Sequence, residues 1–145
     1  MSRVSGSCLC GAVRYESAAE PVLVGVCHCK HCQKQSGSAF SMMVAVPKGT
    51  LKLTGEPLAE FHDVGESGQP VVRRFCPKCG SPITSDAAIT PMFDWIKAGT
   101  LDDTSWFKPQ FHMFCDHAQA WARLEDGVPH MPRNPPPGSA SATNR

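Results

Sequence analysis

The stretch PVVRRFCPKCGSPITSD (70–86) sets two strand-like runs, PVVRRF and SPITSD, on either side of the five residues CPKCG. Each run is about the length of a typical strand, and the first is rich in β-branched residues. A C-x-x-C turn places two sulfurs on one side of the backbone at metal-binding separation. Gly80 takes positive φ without steric cost. The turn can therefore fold over and aim amide N–H groups at the sulfurs of Cys76 and Cys79. Strand, knuckle, strand is the reading that decides the fold.

Working outward, runs of the same kind recur: AVRYES (12–17), PVLVGV (21–26), AFSMMVAV (39–46), TLKLTG (50–55), LAEFHDV (58–64), MFDWIKAG (92–99) and QFHMFC (110–115). The 13 prolines and 12 glycines punctuate them at short intervals. The pattern predicts an all-β domain of antiparallel sheets over residues 1–131. Two short helical turns are expected, at His31–Ser36 and His117–Arg123. From Pro132 the chain is rich in Pro, Ser and small residues, and a disordered tail is expected over 132–145.

The 145 residues supply one ordinary domain, and 41% hydrophobic content supplies a core. Fourteen basic against 13 acidic residues leave a net charge of +1, which argues against a polyanion-holding protein and makes nucleic acid an unexpected partner. No stretch approaches the roughly 20 apolar residues of a membrane span. MSRVSGSCLC lacks the apolar centre of a secretory signal. A cytoplasmic location is expected, where thiols stay reduced, and eight cysteines there point to metal.

Seven of the eight fall into three groups: Cys8 and Cys10 in SCLCG, Cys27, Cys29 and Cys32 in CHCKHC, and Cys76 and Cys79 in CPKCG. Cys115 stands alone. Two pairings compete for a closed site, Cys8 and Cys10 with Cys76 and Cys79, or Cys29 and Cys32 with Cys76 and Cys79. Glycine placement favours the first, because Gly11 and Gly80 follow the two pairs whereas Gln33 follows Cys32. Joining Cys10 to Cys76 closes 65 intervening residues. That costs roughly 4 kcal/mol plus a constant, against on the order of 10–16 kcal/mol from a structural zinc.

The remaining triad, Cys27, Cys29 and Cys32, matches three protein ligands plus one exchangeable position, the arrangement of a reactive zinc centre. The fourth position is open to water, His28, His31, Cys115 or an incoming thiol. Three thiolates on Zn²⁺ give a formal charge of −1, better suited to a soft ligand than to splitting water. Lys30 and Lys34 are candidates for offsetting that charge, and Ser36–Ser38 for lining the open face.

The ordered set GSCLCGAVRY (6–15), CHCKHCQKQSGSAFS (27–41), RFCPKCGSPI (74–83) and KAGTLDD (97–103) resembles the glutathione-dependent formaldehyde-activating enzyme family, related to centromere protein V. The resemblance implies a β-tent (Mss4-like) fold of stacked antiparallel sheets. It also implies a structural zinc on Cys8, Cys10, Cys76 and Cys79, and a second, reactive zinc on Cys27, Cys29 and Cys32. The family activity it implies joins glutathione and formaldehyde into S-hydroxymethylglutathione, a carbon–sulfur lyase reaction in reverse.

Two other classes compete with an enzyme acting on small thiol adducts: a zinc-built binding module, and a thiol switch. Trp95, Trp106, Trp121, Phe93, Phe107, Phe111 and Phe114 are expected in the core. His112 and His117, flanking Cys115, read as polar residues near a strand end, with a third metal site as the alternative. In KAGTLDD, Asp102 or Asp103 is expected to bond nearby amides.

Overall fold

The structure, a computed structural model, describes residues 4–122 and 124–134. Ten strands run through it: β1 (Ser5–Ser7), β2 (Val13–Ser17), β3 (Leu23–Cys27), β4 (Ser41–Pro47), β5 (Leu51–Gly55), β6 (Ala59–Val64), β7 (Pro70–Phe75), β8 (Pro82–Ala87), β9 (Phe93–Lys97) and β10 (Phe111–Met113). One helix, α1 (Lys30–Ser36), interrupts them, and short 3-10 turns occupy Ala98–Thr100, Cys115–His117 and Ala120–Ala122. The all-β expectation holds, and every predicted strand is present.

Three strands form a small antiparallel sheet in the order β1-β2-β5. Seven form the large sheet, β10-β3-β4-β9-β8-β7-β6. All its pairings are antiparallel except one: β10 lies parallel to β3, with Phe111 opposite Gly25 and Met113 opposite Cys27. The last strand in the chain is therefore set beside the strand that delivers the triad.

Strand β4 shows how the layers are filled. Successive side chains point to opposite faces, and Val44 and Val46 join one core while Met43 and Ala45 join another. The first core gathers Val4, Val13 and Tyr15 from the small-sheet side with Ile83 and Ile96, and it encloses Cys8 and Cys76. The second gathers Leu23, Trp95, Phe111 and Phe114 around Cys27, Cys29 and Cys32. Each cysteine group thus sits in its own apolar surroundings. Trp106 and Phe107 pack partly buried against the first core and Phe93 against the second, whereas Trp121 is 78% exposed and is not a core residue.

The helical turn expected over His117–Arg123 is two 3-10 turns instead, and Arg123 lies outside the described residues. Among the described residues of the expected tail, the carbonyls of Pro132 and Arg133 accept backbone bonds from Asp116 and Phe114. Residues 135–145 lie outside the description.

Gly25 is required by packing. A β-carbon there would overlap the ring of Phe111 across the parallel ladder. Gly25→Ala is expected to lower stability by about 1–3 kcal/mol, the cost of overpacking a filled core; urea unfolding of the variant beside the unaltered chain measures it.

Candidate metal centres

The structure brings Cys8, Cys10, Cys76 and Cys79 together, with all four sulfurs within 4.8 Å of one another. The Cys8–Cys10 and Cys10–Cys76 sulfurs are 3.7 and 3.9 Å apart, and no cysteine is in a disulfide. A tetrahedron with metal–sulfur bonds of about 2.3 Å has edges of about 3.8 Å, so the donor set fits a closed four-sulfur site. The rival pairing with Cys29 and Cys32 is not formed.

The same local device builds both halves. Gly11 and Gly80 adopt φ of 80° and 79°, and their N–H groups bond back to the carbonyls of Cys8 and Cys76. Val13 N–H donates to Cys8 Sγ at 3.3 Å, and Lys78 N–H donates to Cys76 Sγ at 3.4 Å. Ser81, which sequence reasoning missed, joins the two halves. Its hydroxyl lies 3.2 Å from Cys79 Sγ and accepts from Leu9 N–H at 3.0 Å. That hydroxyl, with the Ser81 amide, holds the Cys79 thiol down to about 5. At Cys79 the thiolate a metal needs is thus already favoured by the protein, whereas, against the Ala12 amide, desolvation and the neighbouring sulfurs push Cys10 in the same group up to about 11.

Cys27, Cys29 and Cys32 form a second group within the same distance. Cys27 ends β3. Cys29 caps α1, its sulfur accepting from Cys32 N–H at 3.2 Å. Capping is a role for a side-chain acceptor with an extended backbone, and it points both sulfurs into one corner. All three residues are buried.

Two buried cations face this group, and neither was a sequence candidate. Arg73 on β7 reaches Cys32 Sγ with Nη1 at 3.8 Å and donates through Nε to Asp63 Oδ2 at 2.9 Å. Lys97 on β9 donates to Ser41 Oγ at 2.8 Å, and Ser41 pairs with Cys27 across the β3–β4 ladder. Hydrogen bonds from Cys27 and Cys29, joined by the charges of Lys97 and Arg73, hold the Cys32 thiol well below its ordinary value. The sulfurs of Cys29 and Cys32 push the Cys27 thiol well up. Burial draws the Lys97 ammonium down despite the neighbouring sulfurs.

The expected fourth donors are engaged elsewhere. His28 Nε2 lies 2.9 Å from His112 Nδ1, and His31 Nδ1 lies 2.7 Å from Asp63 Oδ2. Cys115 is outside the group. Lys30 and Lys34 are exposed on α1. Ser36 and Ser38 turn back to the carbonyls of Cys32 and Phe40, and so secure the helix end instead of lining an open face. Asp103 does bond an amide, that of Ser105, while Asp102 takes the side chains of Ser5 and Arg14. Lys97 was concealed in a segment read as structural.

An all-β domain with two separate thiol clusters, one of four sulfurs and one of three, defines a class of domains whose cysteines could hold metal ions. The profile of the family described as "Glutathione-dependent formaldehyde-activating enzyme" matches residues 3–117, and the chain belongs to that family. Relatives from Aspergillus flavus and Aspergillus oryzae, each bearing the name "Putative glutathione-dependent formaldehyde-activating enzyme", are 29% identical over 91 residues, which is 61% of this chain. A relative of the same name from Colletotrichum graminicola is 28% identical over 91 residues. The chain spans about half the length, 47%, of these curated relatives. A crystal structure of a Rhodobacter sphaeroides protein superposes with a TM-score of 0.56 at 18% identity, covering 88% of this chain and 99% of that one. It has the same fold.

Arg73, itself buried, answers the buried Cys32 sulfur and the partly buried Asp63 carboxylate at once. Arg73→Met is expected to lower stability by about 3–5 kcal/mol, the usual cost of removing one partner from a buried ion pair. Arg73→Lys restores charge but not the fork that spans Asp63 and Cys32, and should recover only part of the loss. Urea midpoints of the three proteins test the order.

Proposed function

We propose that this chain binds two zinc ions, a structural one on Cys8, Cys10, Cys76 and Cys79 and a reactive one on Cys27, Cys29 and Cys32, and that the second serves the addition of a small thiol to a small aldehyde. Glutathione and formaldehyde are the pair that family membership supports, with S-hydroxymethylglutathione as product. Written in the opposite direction it is a carbon–sulfur lyase reaction. The reduced cytoplasm suits such a site.

One observation carries this reading. Three buried sulfurs stand together with no fourth protein donor among the described residues, beside two buried cations. Zinc bound there would stabilise an incoming thiolate at neutral pH by taking it as a soft ligand. The chain's own residues set the charge. Three thiolates and Zn²⁺ sum to −1. Arg73 and Lys97 add +2 and Asp63 subtracts one, so the buried assembly is neutral before substrate arrives. An anionic thiol then enters without meeting a net negative field.

The chemistry needs no redox partner. The sulfur lone pair forms the S–C bond, the C=O π pair moves to oxygen, and the proton lost from the thiol ends on that oxygen.

Cys29→Ser separates folding from chemistry. Serine is a good N-cap and can accept from the Cys32 amide in place of sulfur, so the domain should stay folded while the second ion is lost. NMR exchange between ¹³C-formaldehyde and its glutathione adduct should then fall to the uncatalysed rate, with metal content reduced by one equivalent. An unchanged exchange rate in this variant refutes the catalytic role. Two zinc ions with no acceleration in the unaltered chain would favour a binding module.

A further inference from the structure

A third set of donor atoms converges away from both cysteine groups, where the chain folds back over β10. His112 in β10 is fully buried, and its Nε2 lies 2.7 Å from Asp126 Oδ2. His130 Nε2 lies 3.2 Å from the other oxygen, Asp126 Oδ1. The two imidazoles stack with centroids 4.2 Å apart and planes at 25°. The three donor atoms lie within 4.8 Å of one another.

Backbone bonds hold the segment in place. His112 N–H donates to Pro129 O at 2.8 Å, Met131 N–H to His112 O at 2.8 Å, and Cys115 N–H to Met131 O at 2.9 Å. Gly127, at φ 76°, makes the turn that brings Asp126 back under His130. Behind the cluster stands His28, 2% exposed. Its Nε2 meets His112 Nδ1 at 2.9 Å, and its Nδ1 has no partner among the described residues.

A carboxylate alone would satisfy a buried histidine. Here Asp126 offers one oxygen to each of two stacked imidazoles, so both Nε2 atoms and the carboxylate face one point. A third ring, that of buried His28, has His112 as its one side-chain hydrogen-bond partner among the described residues. A cation placed at that point would replace the protons that link the two Nε2 atoms to the carboxylate and would take all three groups as donors.

We propose that His112, Asp126 and His130 form a third metal site, selective for a borderline first-row divalent cation such as Zn²⁺. Two neutral imidazole nitrogens and one carboxylate oxygen are a donor set for that class and a poor one for Mg²⁺ or Ca²⁺. His28 is the outer partner. By accepting from His112 Nδ1–H it fixes the tautomer that leaves Nε2 free for the ion, the usual service of a second layer around a metal-bound histidine. The ion fastens the segment carrying Asp126 and His130 onto β10, and water fills its remaining positions. This inference stands on residues that the proposed reaction does not use.

The test counts metal on the full chain after equilibration at micromolar free zinc. Asp126→Asn and His130→Ala alter exposed positions, and circular dichroism confirms their fold. Each variant is expected to hold one equivalent less than the unaltered chain; the difference, not the total, is the readout. With Co²⁺ in place of zinc, the sulfur-to-cobalt charge-transfer bands should be the same in all three proteins, which shows that the lost ion was not on cysteine. Zinc added once the thiol sites are full should also shift the ring ¹⁵N signals of His112 and His130 in the unaltered chain. Equal metal content in the three proteins, or ring signals indifferent to zinc, overturns the proposal.

Discussion

Four sulfurs from two distant parts of the chain stand at van der Waals separation without bonding to each other, and the rest of the domain is arranged around that contact. Cys8 and Cys10 arrive from the turn between β1 and β2, Cys76 and Cys79 from the turn between β7 and β8. Joining these turns fixes the small sheet against one end of the large one. The core containing Val13, Tyr15, Ile83 and Ile96 is sealed by the same act. Glycines with positive φ follow both pairs, and a serine hydroxyl lies between them. Hydrophobic burial alone would leave these two turns free to slide; directional donors remove that freedom.

The second cluster meets a different constraint, burial of charge. An isolated thiolate or guanidinium inside the protein costs far more than it returns. Here they are interleaved: Asp63 is shared by His31 and Arg73, Arg73 reaches Cys32, and Lys97 leans on Ser41 beside Cys27. The elements contributing these groups, β4, β6, β7, β9 and α1, come from separate stretches of chain. Their charges agree only when the whole large sheet is formed.

The strands were legible because each is a short run with its own local signature. What escaped was set by tertiary contact. β1, with the residues SGS, has no pattern of its own and exists as a partner for β2. The parallel pairing of β10 is a choice of neighbour, which no local run encodes. At the site, the cysteines announced themselves by spacing, and Gly11 and Gly80 by position. Arg73 and Lys97 did not, since nothing near either residue says that a thiolate lies across the sheet. The exposed Lys30 and Lys34, nearest in sequence to the triad, drew attention that belonged to them. Likewise His112, Asp126 and His130 are separated by 13 and 3 residues and become neighbours only through the fold-back over β10.

The lone parallel ladder has a consequence for biosynthesis. Phe111 pairs with Gly25 across 86 positions, and His28 N–H bonds to Met113 O. On a ribosome, Cys27, Cys29 and Cys32 emerge long before the strand that completes their flank. Contacts of such separation form late, after much loop entropy has been surrendered. The knuckles of SCLCG and CPKCG can meet once Gly80 is free of the exit tunnel, whereas the triad must wait for Met113. Maturation of this domain therefore has a built-in sequence, with its framework settled first and its more delicate thiols enclosed last.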